Sequence, residues 1–244
     1  MKTILFDLDN TLLGNDMNQF MPQYFPLLLR HVQALLPDMP FDFLKEMMKA
    51  TQKVILNTRP HLSNRALFWE AMTEQTGLDW DTLEAEPYFD QFYTGPYQQL
   101  RPITTLRPEA IALVEWALAE GYEVVVATNP LFPQSAIETR LEWAGLPVDK
   151  YPFALVTHYA NMHAAKPQIA YYEEILAKLG RTPAETLMVG DDWVNDIEPC
   201  AQLGLYTYWL SDEYATPPAL GLATAAGPSL SHLHKLLATG QFMS

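Results

Sequence analysis

Two aspartates, Asp7 and Asp9, stand two positions apart where the first apolar run of the chain ends, in ILFDLDNTLL, residues 4–13. At that spacing on an extended segment, both carboxylates point to one side. Such a pair suits three tasks: capping a turn, binding a hard cation, or moving protons and attacking an electrophile. A calcium loop, which also begins with spaced carboxylates, is excluded because Leu12 stands where it needs glycine and Asn18 where it needs glutamate. Further reactive side chains follow other apolar runs: Thr128 and Asn129 after VVVA, Lys166 before Pro167, and Asp191, Asp192 and Asp196 after TLMVG.

Positioning these groups requires a common scaffold. Residues 3–9, 123–129, 153–158, 186–191 and 205–210 read as strands, most of them continuous apolar runs of the kind a parallel sheet covered on both faces requires. Residues 108–120 predict a helix with Ile111, Val114 and Leu118 on one stripe, opened by Pro108 and stopped by Gly121. Residues 167–179 repeat the design with Ile169, Tyr172, Leu176 and Leu179, between Pro167 and Gly180. This alternation predicts an α/β fold, a Rossmann-like open parallel sheet with right-handed crossovers. Ligands of such sheets collect at the carboxyl ends of the strands. Asp7 and Asp9, Thr128 and Asn129, His158, and Asp191 with Asp192 all stand at those ends.

Between the first two strands the sequence holds no convincing strand. Residues 17–36, 41–56, 62–76 and 79–93 predict amphipathic helices, broken at Pro37, Pro40, Pro60 and Gly77. That is too long for a crossover, so residues 15–96 are expected to form an inserted all-helical cap domain, with residues 1–14 and 97–244 as the core. Its hinges fall near Gly14 and near Gly95 and Pro96, and residues 215–228 read as a surface loop.

In this order and at this separation, "DLDNTL", "VVVATNP", "AAKP" and "VGDDWVNDI" resemble the four motifs of the haloacid dehalogenase (HAD) superfamily, in the branch with a helical cap inserted after the first motif. The likeness spans nearly the whole chain. It implies a Mg²⁺-dependent phosphohydrolase that cleaves a small phosphate monoester through an aspartyl-phosphate on Asp7. In that resemblance Asp7 and Asp191 bind the metal through their side chains and Asp9 through its backbone carbonyl. Thr128 and Asn129 donate to the phosphoryl group, Lys166 neutralises it, and Asp196 orients the waters of the metal. Asp192 stands where the family usually has a small polar residue, so it either supports the metal, faces solvent or caps a turn, and Thr11 is expected to fix its turn through its hydroxyl.

Elementary chemistry agrees with that assignment. A carboxylate approaching a phosphate dianion is repelled by roughly 4 kcal/mol per charge pair at ~4 Å and an effective dielectric of ~20. Cations must offset this, and carboxylate oxygens suit Mg²⁺ while Lys166 adds a point charge. An aspartate is ionised at neutral pH and needs no base to make it nucleophilic. Asp9 is then free to protonate the departing alkoxide and later to deprotonate water.

Composition narrows the setting. A formal charge of −14 over 244 residues opposes binding to nucleic acid or anionic lipid. The lone cysteine, Cys200, carries no nucleophile signature and accords with a reducing, cytoplasmic compartment. His158 and His163 match no standard metal-ligand spacing, and Trp69 and Tyr93 read as core of the helical segment. Leaving-group selection is expected from NTRPHLSNR, residues 57–65, which offers Arg59, His61, Asn64 and Arg65. Competing readings are a dehalogenase, which lacks the second acid, a phosphomutase, which keeps every motif, and a non-catalytic binding protein on the same fold, which is expected to lose Asp7, Asp9 or Lys166. A receiver domain is about half this length and orders its acids differently.

Overall fold

β1 (Thr3–Phe6) is buried along its whole length, which requires a sheet covered on both faces. The computed structural model, which describes residues 1–57, 59–211, 216, 218–219 and 221–243, supplies that cover. After β2 (Leu13–Gly14) the chain runs through α1 (Met17–Leu35), α2 (Phe43–Ile55), α3 (Asn64–Thr76), α4 (Ala85–Thr94), a 3₁₀ segment (Pro96–Ile103) and β3 (Thr105–Leu106). Then come α5 (Pro108–Ala119), β4 (Glu123–Val126), α6 (Gln134–Trp143), β5 (Leu155–Val156), α7 (Ile169–Leu179) and β6 (Thr186–Gly190). A π-helical turn (Trp193–Ile197), α8 (Glu198–Leu203), β7 (Tyr206–Leu210), β8 (Ala225–Gly227) and α9 (Leu230–Ala238) complete the order.

The strands make a six-stranded sheet in the order β5-β4-β1-β6-β7-β8, parallel throughout. Chain order reverses on either side of β1, so the carboxyl end of β1 is the topological switch point where such sheets bind ligands. Register makes this specific. Phe6 pairs with Val126 on one side and Val189 on the other. Asp7, Ala127 and Gly190 therefore leave the sheet at one level, and Thr128 and Asp191 follow directly.

Several strands end sooner than their apolar runs. β1 stops at Phe6 and β4 at Val126, and only Leu155–Val156 of the expected 153–158 pair as a strand. The same backbone must let go of the ladder to carry its polar side chains into the crevice. Asp7 and Asp9 thus do not lie on one strand face as the spacing suggested: Asp9 sits in a turn closed by a bridge to Leu13 and opened by Asn10 at φ 57°. Of the loop expected at 215–228, part lies outside the described residues, and Ala225–Gly227 join β7 as an edge strand instead. The stripe on α5 is rotated as well. Ala110, Leu113, Val114 and Ala117 are its buried residues, while Ile111 packs where a Cβ on Gly145 would meet it at 2.7 Å. On α7 the buried set is Tyr171, Tyr172, Ile175 and Leu176, and Ile169 is left exposed.

The helical segment starts at sequence-encoded caps. Asp16, Asp42 and Ser63 each accept a backbone N–H of the helix they precede, offsetting orphan donors there. The outgoing and returning chains lie side by side, since β2 and β3 pair antiparallel through Leu13 with Leu106 and Gly14 with Thr105. Ile4, Phe6 and Leu8 under the sheet belong to one continuous apolar cluster with Phe20, Tyr24, Phe43 and Trp80 of the helices. Phe20 is fully buried, edge-on to Tyr97 at 5.9 Å.

That continuity predicts cooperative unfolding. Phe20→Ala should cost about 3–5 kcal/mol and move a single calorimetric transition down by roughly 6–20 °C; two resolved transitions, one unmoved by the substitution, would show that the helices and the sheet hold separate cores.

Candidate active site

The ammonium of Lys166, whose side chain is 2% exposed, lies between two carboxylates. Its Nζ donates to Asp7 Oδ1 at 2.7 Å and to Asp196 Oδ1 at 2.6 Å. The first partner ends β1, the second stands on the turn after β6, and the lysine lies three residues before α7. Asp191 joins them: Asp7, Asp191 and Asp196 each present a carboxylate oxygen within 4.8 Å of the others. Three carboxylates against one ammonium leave two negative charges uncompensated in a buried place.

The ionisation of these groups reflects that imbalance. Burial pushes Asp7 up from 3.8 to about 7, against the opposing pull of Lys166. Burial and then the charge of Asp7 raise Asp191 to about 7. Asp196 rises to about 6, again through burial with Lys166 opposing. For Lys166 burial acts downward, but Asp196 and Asp7 outweigh it and hold the ammonium well above its ordinary range. Hard oxygen donors, clustered, desolvated and short of positive charge, fit a small divalent cation. The cluster is closely fitted: a Cβ on Gly190 would sit 2.1 Å from Asp196 Oδ2.

Asp9 belongs to a second charge system that the sequence reading did not anticipate. Its Oδ2 accepts from Arg140 Nη1 at 2.6 Å and its Oδ1 from Asn15 Nδ2 at 2.7 Å. Arg140 lies on α6 with a side chain 1% exposed and stacks over Phe132 at 4.7 Å. Its signal was present in the sequence, because Ile137, Arg140, Leu141 and Ala144 share the buried face of that helix and a charge on an apolar stripe is seldom left unpaired.

The remaining candidates divide. Thr128 is buried, and its carbonyl accepts from Thr157 Oγ1 at 2.7 Å and Tyr171 Oη at 2.8 Å, which fixes the loop that carries it. The buried Oδ1 of Asn129 has no hydrogen-bond partner among the described residues. Thr11 reaches Asp191 Oδ1 at 3.5 Å. Asp192 caps the turn after it, accepting from the Val194 and Asn195 backbones at 2.9 and 3.0 Å. His158 pairs locally with the Ala160 N–H and His163 with Glu174 at 2.8 Å. Cys200 is buried, which pushes its thiol well up.

In the polar stretch expected to select a leaving group, three of the four candidates have partners and His61 is exposed. Thr58 lies outside the described residues. Arg59 pairs with Glu70 at 3.0 Å and Arg65 pairs with Glu86. Asn64 is fully buried and ties α3 to the core, donating to the carbonyls of Ala164 at 2.9 Å and Pro130 at 3.3 Å.

Comparison with known proteins follows the same lines. The family model of haloacid dehalogenase-like hydrolases matches residues 1–204. A 2-haloacid dehalogenase from Pseudomonas syringae pv. Tomato superposes with a TM-score of 0.67 at 22% identity, covering 98% of this chain and 99% of that one. A HAD phosphatase from Thermococcus onnurineus gives 0.58 at 19% identity over 97% and 98%. A protein described as a predicted phosphoglycolate phosphatase from Haemophilus somnus gives 0.55 at 22% over 97% and 98%. At these identities the likeness is one of fold.

The Arg140–Asp9 pair predicts an asymmetry in stability. Arg140→Met strands a carboxylate and should cost about 3–5 kcal/mol, whereas Arg59→Met on the exposed pair should cost within about 1 kcal/mol; equal denaturant midpoints for the two variants would contradict the buried pairing.

Proposed function

The chain belongs to the haloacid dehalogenase-like hydrolases, and from that premise we propose that it hydrolyses phosphate monoesters through an aspartyl-phosphate on Asp7, with Asp9 moving protons. In the first step a carboxylate oxygen of Asp7 bonds to phosphorus and the ester P–O bond breaks, while Asp9, entering this step as the carboxylic acid, gives its proton to the departing alkoxide and becomes the carboxylate. In the second, Asp9 takes a proton from the water that attacks phosphorus, and inorganic phosphate leaves as Asp7 is restored. Lys166 steadies Asp7 through their 2.7 Å hydrogen bond and faces the incoming negative charge, while Thr128 and Asn129 donate to phosphoryl oxygens. Asp7, Asp191 and the Asp9 carbonyl would hold Mg²⁺, with Asp196 supporting them; when bound, the ion offsets the charge of the phosphate dianion. Helices α1–α4 would serve as the cap that keeps bulk water from the acyl-phosphate.

One observation favours this reading over dehalogenation. Asp9 follows Asp7 by two residues and is held in its turn by Arg140 and Asn15. A halide departs as a stable anion and asks for no proton, whereas an alkoxide needs one, so a proton-moving acid is idle in a dehalogenase and required in a phosphatase.

The test is release of inorganic phosphate from a panel of monoesters, with chloride release from 2-chloroacids assayed alongside. Phosphate release should fall at least about 10³-fold in Asp7→Asn, about 10²–10⁴-fold in Asp9→Asn, and cease with EDTA. Chloride release without phosphate release, or phosphate release indifferent to Asp7, would contradict the assignment. A second expectation concerns pH. With Asp7 and Asp191 raised to about 7 and Asp196 to about 6, the metal-free folded state binds more protons than the unfolded chain above pH ~4, so these groups lose stability as pH rises through 6–7. Mg²⁺ at about 100 times its Kd should restore about 2.7 kcal/mol, roughly 5–10 °C, at pH 8 and distinctly less at pH 5, where protons compete. An equal gain at both pH values would mean that the ion binds elsewhere.

A further inference from the structure

A cavity of about 280 Å³ lies among all four helices α1–α4 and the loop Leu131–Pro133. That loop starts two residues after Asn129, and the Leu131 N–H donates to the Asn129 carbonyl at 2.8 Å. The cavity wall thus begins where the phosphoryl-binding loop ends. Asp9 itself does not line the cavity but lies one side chain behind the wall: the lining residue Phe132 has Arg140 over its ring at 4.7 Å, Arg140 holds Asp9, and the Tyr24 ring meets Phe132 at 5.8 Å. An alcohol whose oxygen receives a proton from Asp9 must place its carbon body within reach of the phosphoryl-binding loop, and this partly open cavity offers room for it.

The wall is almost wholly apolar, with the buried Trp69 Nε1–H an unpartnered donor among the described residues. No charged side chain lines the cavity among the described residues. Its hydroxyls are already engaged, Tyr24 with Tyr93 at 2.9 Å, Thr51 with the Met47 carbonyl at 2.9 Å, and Tyr159 with Glu86. A sugar, nucleoside or carboxylate placed there would bury more polar groups than the single Trp69 Nε1–H could pair. Methionine and aromatic rings instead suit an apolar body of variable shape. The volume is roughly twice the ~150 Å³ that admits benzene, room for a fused bicyclic ring or a chain of about eight carbons.

We propose that this cavity is the leaving-group site and that the alcohol released is apolar, a medium-length alkyl or an aromatic one; the inference rests on the phosphatase reading above. The test uses straight-chain alkyl phosphates from ethyl to decyl, whose leaving groups have nearly constant acidity. kcat/KM should rise ~4-fold per methylene to a plateau near eight carbons, with glycerol phosphate and phosphoglycolate well below the alkyl esters of equal length. Met47→Trp, which adds roughly the volume of two methylenes, should bring the plateau about two carbons earlier. Binding is read separately by calorimetry on Asp7→Asn with Mg²⁺: octyl phosphate should bind at least tenfold tighter than ethyl phosphate, and Met47→Trp in that background should reduce the difference. Phosphate release with no chain-length dependence, or with preference for the polar esters, overturns the inference and leaves the phosphatase reading intact. Chain-length-dependent binding without any phosphate release supports the apolar site and overturns the phosphatase reading; equal affinities for the octyl and ethyl esters overturn the inference whatever the catalysis.

Discussion

One ammonium shared between two buried carboxylates sets the terms for the rest of the site. Lys166 reaches Asp7 and Asp196 at 2.7 and 2.6 Å, and with Asp191 beside them its single charge cannot neutralise what it holds together. A desolvated cluster with an excess of negative charge persists only by binding protons or a cation. Burial raises the pKa of all three acids, so each holds a proton more readily than a free carboxyl. A divalent ion would exchange for such protons, and the same deficit of positive charge makes the site fit one.

The fold concentrates these groups by register. Because β1 pairs through Phe6 with both β4 and β6, residues far apart in sequence reach the sheet edge at one height. The absence of a side chain at Gly190 lets Asp196 approach closely enough to meet Lys166. Asp9 is kept apart from this cluster. Its turn after β1 directs it to Arg140 and Asn15, so the two aspartates share a strand end but answer to different cations. In the mechanism proposed here that separation lets one serve as nucleophile and the other handle protons.

Much of this was legible in the chain because it is written in local patterns. Continuous apolar runs announced a parallel sheet, proline and glycine marked the ends of α5 and glycine the end of α7, and of the acids singled out Asp7, Asp191 and Asp196 meet while Asp9 and Asp192 do not join them. What stayed hidden depends on long-range packing. Arg140 was passed over since its partner lies 131 residues away, and the ion pairs of Arg59 and Arg65 with Glu70 and Glu86 were likewise invisible in the sequence. The strand ends were overrun because apolar character continues past the last paired residue, and β8 was missed because AAG carries no strand signal until β7 offers its edge.

The central claim is that Asp7 bonds to phosphorus, and it is tested most directly by acid-quenching a single turnover in ¹⁸O-labelled water and weighing the peptide that contains Asp7. A transient phosphoryl group is expected on that peptide, with ¹⁸O appearing afterwards in the phosphate and none in the Asp7 side chain. A peptide that never carries phosphoryl, or one whose aspartate acquires the label, would contradict it.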